Sequence, residues 1–209
     1  AFAGELAVIV DAGMREMVTE QRDVFYYVTL MNENYAQPDL PAEAHAGVLR
    51  GCYVFNSYLR PSEGREEPIP SQKSVTLLGS GAILTEVIKA AQRLADEGIA
   101  ATVVSVTSWS ELARDGMACE AGRDRGDAGD AKPWLTQVLE GTSGPVIAAT
   151  DYVRAVPESV RAYVPAGRRY RALGTDGFGR SDTRAALRAY FGVDAASIAQ
   201  AARAALTGG

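Results

Sequence analysis

Four short stretches hold residue types that could do chemistry. Leu77-Leu78-Gly79-Ser80-Gly81-Ala82-Ile83-Leu84 sets a Gly-x-Gly between an apolar run and a helical stripe. Free backbone N–H groups at such a helix start can hold a phosphate. The dinucleotide fingerprint wants a third small residue where Leu84 stands, so the glycines read first as a tight strand-to-helix turn. Gly174-Thr175-Asp176-Gly177-Phe178-Gly179-Arg180-Ser181-Asp182 flanks an aromatic with glycines, between a strand end and a helix start. Open α/β sheets put their ligands there, which makes Asp176, Phe178 and Arg180 candidates for a recognition or interface loop. Ser181 or Asp182 is expected to cap the helix that follows. Asn32-Glu33-Asn34-Tyr35 offers Glu33 as an acid or base, but without a neighbouring histidine or carboxylate a hinge is the better reading. His45, in the polar run Glu43-Ala44-His45-Ala46, reads as solvated.

No nucleophile beside a base, no metal-ligand cluster and no phosphate loop survives this reading, so no catalytic, cofactor-binding or metal-ligating residue is assigned. One histidine and two cysteines, Cys52 and Cys119, with no Cys-x-x-Cys, cannot supply a zinc site. The thiols read as small apolar residues in a reducing, cytoplasmic setting. Trp109 and Trp134 read as core or interface anchors. The 21 basic and 26 acidic residues give a net charge of −5, with the basic ones scattered, which argues against nucleic acid as a partner. No apolar run approaches the roughly 18 residues of a membrane span, and no leader pattern precedes the first helix. The opening on Ala1, inside a helical pattern and without Met, is expected of a piece of something longer.

The elements that must position these residues alternate. At 209 residues the chain exceeds one average domain of about 150, and a chain of this size can bury about 70% of its unfolded surface. Leu6, Ile9, Val10, Gly13, Met14 and Met17 recur at helical spacing, and Val24-Phe25-Tyr26-Tyr27-Val28-Thr29-Leu30-Met31 reads as a buried parallel strand. Together they resemble the last αβ unit of a preceding domain. The polar run from 32, with prolines at 38 and 41, reads as a linker. Strands are expected at 51–59, 74–78, 101–106, 145–149 and 170–173. Helices are expected at 83–94 (closed by Gly98), from 111 for a short stretch, and at 134–139, 158–163, 182–191 and 194–206; residues 123–131 read as a loop. This predicts an α/β fold with a mostly parallel sheet and helices on both faces.

Several segments resemble the carboxyl-terminal part of the homodimeric, thiamine-diphosphate-dependent pyruvate dehydrogenases. They are Phe25-Tyr26-Tyr27-Val28-Thr29-Leu30-Met31-Asn32-Glu33-Asn34-Tyr35, Leu77-Leu78-Gly79-Ser80-Gly81, Ser105-Val106-Thr107-Ser108, Glu111-Leu112-Ala113-Arg114-Asp115-Gly116, Ala149-Thr150-Asp151-Tyr152 and Leu173 through Asp182, in the family's order. The resemblance implies that residues 1–33 end a pyrimidine-binding domain, 34–50 link, and 51–209 form a transketolase C-terminal-like domain. It also implies that thiamine diphosphate and magnesium belong to the first two domains of a full-length homodimer, with none expected here. Pyruvate is then the substrate and the dihydrolipoyl acetyltransferase of the complex the acceptor, and this part supports the dimer. Ala36 departs from the histidine that often follows this tyrosine in the family, and residues 123–132 differ as well. Another 2-oxo acid dehydrogenase, a transketolase, or a stand-alone nucleotide-binding or scaffold module are the rival expectations.

Overall fold

The structure, a computed structural model, describes residues 2–58, 73–126 and 131–207. The expected strand end at Leu59, the prolines at 61, 68 and 70 and residues 127–130 of the expected 123–131 loop lie outside the described residues, whereas 123–125 of that loop are helical.

Among the described residues five strands form one sheet: β1 (Cys52–Tyr58), β2 (Ser74–Gly79), β3 (Ala100–Val106), β4 (Val146–Ala149) and β5 (Tyr170–Leu173). Their spatial order is β1-β3-β2-β4-β5; β1 runs antiparallel to β3 and the other pairings are parallel. Alternation along each strand sends one set of side chains to each face. Val75, Leu77, Ala101, Val103, Ile147 and Ala149 share a core with α3 (Ile83–Asp96) and α8 (Ala195–Thr207). Leu78, Val104, Val106, Val146 and Ala148 pack on the opposite side with Leu112 of α4 (Trp109–Arg125) and Leu135 and Leu139 of α5 (Trp134–Glu140). Both layers are lined by buried apolar side chains, which is why the strands read as continuous apolar runs.

Some expected elements are displaced. The stretch 24–31 forms no strand: Phe25 and Tyr27 are each 87% exposed, and Tyr26 lies over Gly13 of α1 (Ala3–Met14). An extended run becomes a strand only where a neighbouring strand accepts its backbone hydrogen bonds, and none of the five does. The linker stretch is irregular only in its first part, because a 3-10 turn at Ala42–Ala44 leads into α2 (His45–Leu49), which buries Val48 against Tyr53. His45 is exposed, as expected. The helix from 111 is not short; it begins at Trp109, capped by Ser108 Oγ accepting from Glu111 N–H at 3.1 Å, and runs to Arg125. Its polar composition hides the helical period from position 114 onward. In place of one helix at 158–163 stand α6 (Ala155–Glu158) and a 3-10 turn at Arg161–Tyr163. Neither Ser181 nor Asp182 caps α7 (Arg184–Phe191): Thr183 does, its Oγ1 accepting from Ala186 N–H at 3.3 Å, while the Asp182 carboxylate accepts from Thr183 N–H. Trp109 is a buried core residue, and Trp134 donates its indole N–H to Cys52 O at 2.9 Å beneath the Arg50 guanidinium. Both cysteines are free, Cys52 fully buried and Cys119 partly so.

Candidate functional site at the carboxyl ends of the parallel strands

Helix α3 returns from β2 over one face, whereas α4, α5 and the 155–163 turns cover the other. The crossovers therefore diverge between β2 and β4, and a crevice between neighbouring strands at such a reversal is where open α/β sheets place ligands. Here side chains fill it. Ser80 Oγ donates to Thr150 Oγ1 at 2.8 Å, and Thr150 Oγ1 accepts from Tyr152 N–H at 3.2 Å. Thr175 Oγ1 donates to Asp151 O at 2.5 Å, tying the end of β5 to the loop after β4.

Both glycines of the Gly79-Ser80-Gly81 turn are explained by packing. A Cβ on Gly79 would stand 2.9 Å from Val87 and 3.0 Å from the Leu84 backbone, and Gly81 adopts φ +54°, where an L side chain is strained. Leu84, at the fingerprint's third small position, is fully buried. What faces the turn is a carboxylate: the oxygens of Asp151 lie 3.6 and 3.7 Å from where a Gly81 Cβ would be. Burial pushes the Asp151 carboxyl up, a shift that the opposing charge of Arg188 only partly offsets. A diphosphate placed on this turn would meet that carboxyl, so these residues do not fit the diphosphate end of a thiamine or nicotinamide cofactor. The charged groups beside it are already committed to one another.

Glu33 is the centre of that commitment. Its carboxylate accepts from Arg188 at 2.5 Å and lies 3.1 Å from Arg184. Arg184 also donates to the Asn32 carbonyl. Arg188 reaches Glu86 at 3.5 Å, and Glu86 accepts in addition from Lys89 at 2.8 Å and from the Ala195 N–H at the start of α8 at 3.1 Å. Burial alone would raise Glu33, but the two guanidinium groups outweigh it and hold its carboxyl below the ordinary carboxylate range. Where a hinge is the expected reading of Glu33, its carboxylate instead holds a strap at 29–35 to α7, and Arg188 extends the network to Glu86 of α3. Thr29 and Tyr152 share a hydrogen bond at the strap's near end, and Tyr35 packs edge-on against Phe2 at its far end.

The 176–182 loop lies beside this strap. Asp176 accepts from the Arg154 backbone N–H at 2.8 Å and pairs with the Arg154 guanidinium, so its carboxylate fixes the loop after β4. Those hydrogen bonds hold its carboxyl below the ordinary range. Beyond it Phe178 is 96% exposed, and Arg180 sits over the Tyr190 ring at 4.9 Å. Asp176, Phe178 and Arg180 therefore alternate with glycines in the chain but face different surroundings. Arg184, Arg188 and Glu86 escaped the sequence reading because the partners that join them into this network lie 100 or more residues away. The arginine spacing of four on one helix face, following a capping threonine, was the one local signal.

Asp151, the strap and the glycine-rich loop, set on a doubly covered sheet with one antiparallel edge, define a domain class. Residues 60–194 match the transketolase-like TK C-terminal domain, and residues 1–38 match the pyruvate dehydrogenase E1 component middle domain. The chain belongs to the transketolase-like C-terminal domain family. Across its whole length it is similar to the pyruvate dehydrogenase E1 component of Pseudomonas aeruginosa, 44% identical over 207 residues, covering 98% of this chain and 22% of that protein. The Mycobacterium tuberculosis pyruvate dehydrogenase E1 component is 43% identical over 212 residues, covering all of this chain and 22% of that protein. Transketolase from Leishmania mexicana superposes over 78% of this chain and 19% of its own, at 21% identity and a TM-score of 0.47. The chain thus spans about a fifth of the length of the pyruvate dehydrogenase components it matches. Among the described residues no helix is long and apolar enough to cross a membrane.

Proposed function

We propose that this chain serves as the carboxyl-terminal part of a cytoplasmic, homodimeric pyruvate dehydrogenase (acetyl-transferring), and that its own contribution is architectural. The observation that carries the reading is the order of the two family matches, middle domain then C-terminal domain, across one continuous similarity. The exposed apolar run at 24–31 supports it. Phe25, Tyr27 and Leu30 are large apolar side chains left exposed, of the kind that protein contacts cover, as the final strand of a pyrimidine-binding domain would be. On this reading residues 1–33 complete that domain, 34–50 connect, and 51–209 form the supporting domain. Thiamine diphosphate and magnesium sit elsewhere in the intact protein, and the acetyl unit from pyruvate passes to the lipoyl-bearing dihydrolipoyl acetyltransferase. Asp176 braces the glycine-rich loop, while Phe178 and Arg180 reach a neighbouring subunit or domain.

Titration calorimetry of this chain with thiamine diphosphate and magnesium should show no saturable heat, and tight binding would overturn the division of labour. The intact protein should release carbon dioxide from pyruvate faster than from longer 2-oxo acids; the reverse preference, or ketol transfer between sugars, would overturn the assignment. In that intact protein, Phe178→Ala with Arg180→Ala should weaken subunit association about tenfold. Unchanged association would remove the loop from the interface.

A further inference from the structure

The far end of the sheet carries a feature that the architectural reading leaves unused. A cavity of about 500 Å³ lies against β5, and Arg161, Arg168, Arg169 and Arg171 all line it, with Tyr170 between them. Among the described residues no carboxylate lines it, in a chain whose net charge is −5. One acid stands nearby, Glu158, and both its oxygens are taken by Arg161 at 2.6 and 2.7 Å.

Among the described residues the other three arginines form no ion pair with a carboxylate. Arg168 is half-buried and donates only to neutral oxygens: Gly144 O and Leu139 O at 2.7 Å, Thr76 Oγ1 at 2.8 Å and Thr142 Oγ1 at 3.0 Å. Arg169 donates to Ala205 O near the end of α8 at 3.0 Å. That contact suits a helix carboxyl terminus and occupies one of its five donors. A guanidinium drawn partly out of water without a counter-charge is costly, and the burial of Arg168 lowers its affinity for its proton.

The edge itself discourages an added peptide strand. β5 has four residues, and the Tyr170 carbonyl is already covered by Arg161 at 3.0 Å. A compact anion with several oxygens meets the fork geometry of guanidinium groups best, and the cavity is within the size range of small-molecule sites. From this juxtaposition we infer that the β5 groove binds a phosphate-bearing small molecule, with Arg169 and Arg171 as its exposed clamps and Arg168 as its anchored base.

The probe is inorganic pyrophosphate, titrated calorimetrically into the full chain at about 150 mM salt. The expected result is one saturable site, with citrate binding at least about tenfold more weakly. Arg169→Gln combined with Arg171→Gln, both exposed positions, should weaken pyrophosphate about tenfold or more. Arg93→Gln, an exposed arginine on α3 outside the groove, should change it by less than about twofold. Absence of saturable binding overturns the inference. So does equal binding of citrate, equal loss in the Arg93 variant, or full retention in the groove double variant.

Discussion

Alanine at position 144 should destabilise the protein by about 3–5 kcal/mol, or prevent folding outright. Gly144 stands just before β4 with φ +76°, and a Cβ there would fall 1.7 Å from the Ser74 carbonyl oxygen. That neighbour is backbone in the first residue of the central strand β2, so no side-chain rotation relieves the clash. The Gly144 carbonyl also receives the Arg168 Nε–H, and Thr76 N–H donates to Pro145 O at 2.9 Å. Displacing this turn therefore disturbs the β2–β4 junction and the arginine beneath it together. Urea unfolding followed by circular dichroism measures the cost; a loss under about 1 kcal/mol would mean that the chain enters β4 by another path.

Removing the Arg188 guanidinium should have the second largest effect. Arg188→Met keeps the apolar stem on α7 but strips Glu33 and Glu86 of a shared cation in a site where all three side chains are under a fifth exposed. The expected cost is about 2–3 kcal/mol, below that of a fully buried pair because Arg184 and Lys89 remain. The sign of its pH dependence follows from Glu33, whose carboxyl is depressed in the folded state. Its contribution is present above the unfolded carboxylate range and is lost as pH falls through the folded value. The gap between wild type and variant should therefore narrow on acidification. Limited proteolysis supplies an independent readout, because loss of the clamp should release residues 29–35 to cleavage. If Glu33→Gln and Arg188→Met add without coupling, the clamp is not an energetic unit.

The contrast between the legible and the hidden parts of this protein has a physical basis. Runs such as Val75 to Leu78 and Ala101 to Val106 announce buried strands because every side chain is apolar or small and both faces are covered. Helix α3 announces itself because Ile83, Val87, Ala91 and Leu94 fall on one face against the sheet. The same reasoning gave residues 24–31 a strand that they do not form. Pattern specifies that a segment is ready to pair, while pairing needs a second strand, and that information lies outside the segment. Helix α4 was underestimated for the opposite reason: its outer face is so polar that only Trp109, Leu112, Gly116 and Gly122 mark the buried side. Glu33 was visible as a lone carboxylate, but its meaning depends on arginines 151 and 155 residues further along, brought beside it by the helix that follows β5. Glu5 stayed hidden for the same reason. It lies buried, accepting from Phe2 N–H, Tyr53 and Ser105, on three elements that only the fold assembles.

The two sulfurs have unequal fates. Burial beneath the α5 indole pushes the Cys52 thiol up to about 12, so it stays protonated and shielded while the sheet is closed. Cys119, on the outer part of α4, keeps partial access to solvent. A dye or alkylating reagent therefore meets a single sulfur on the native molecule, and uptake of a second equivalent counts openings of the β1 edge. The natural chain thus carries its own labelling handle and its own unfolding clock, with no engineered residue required.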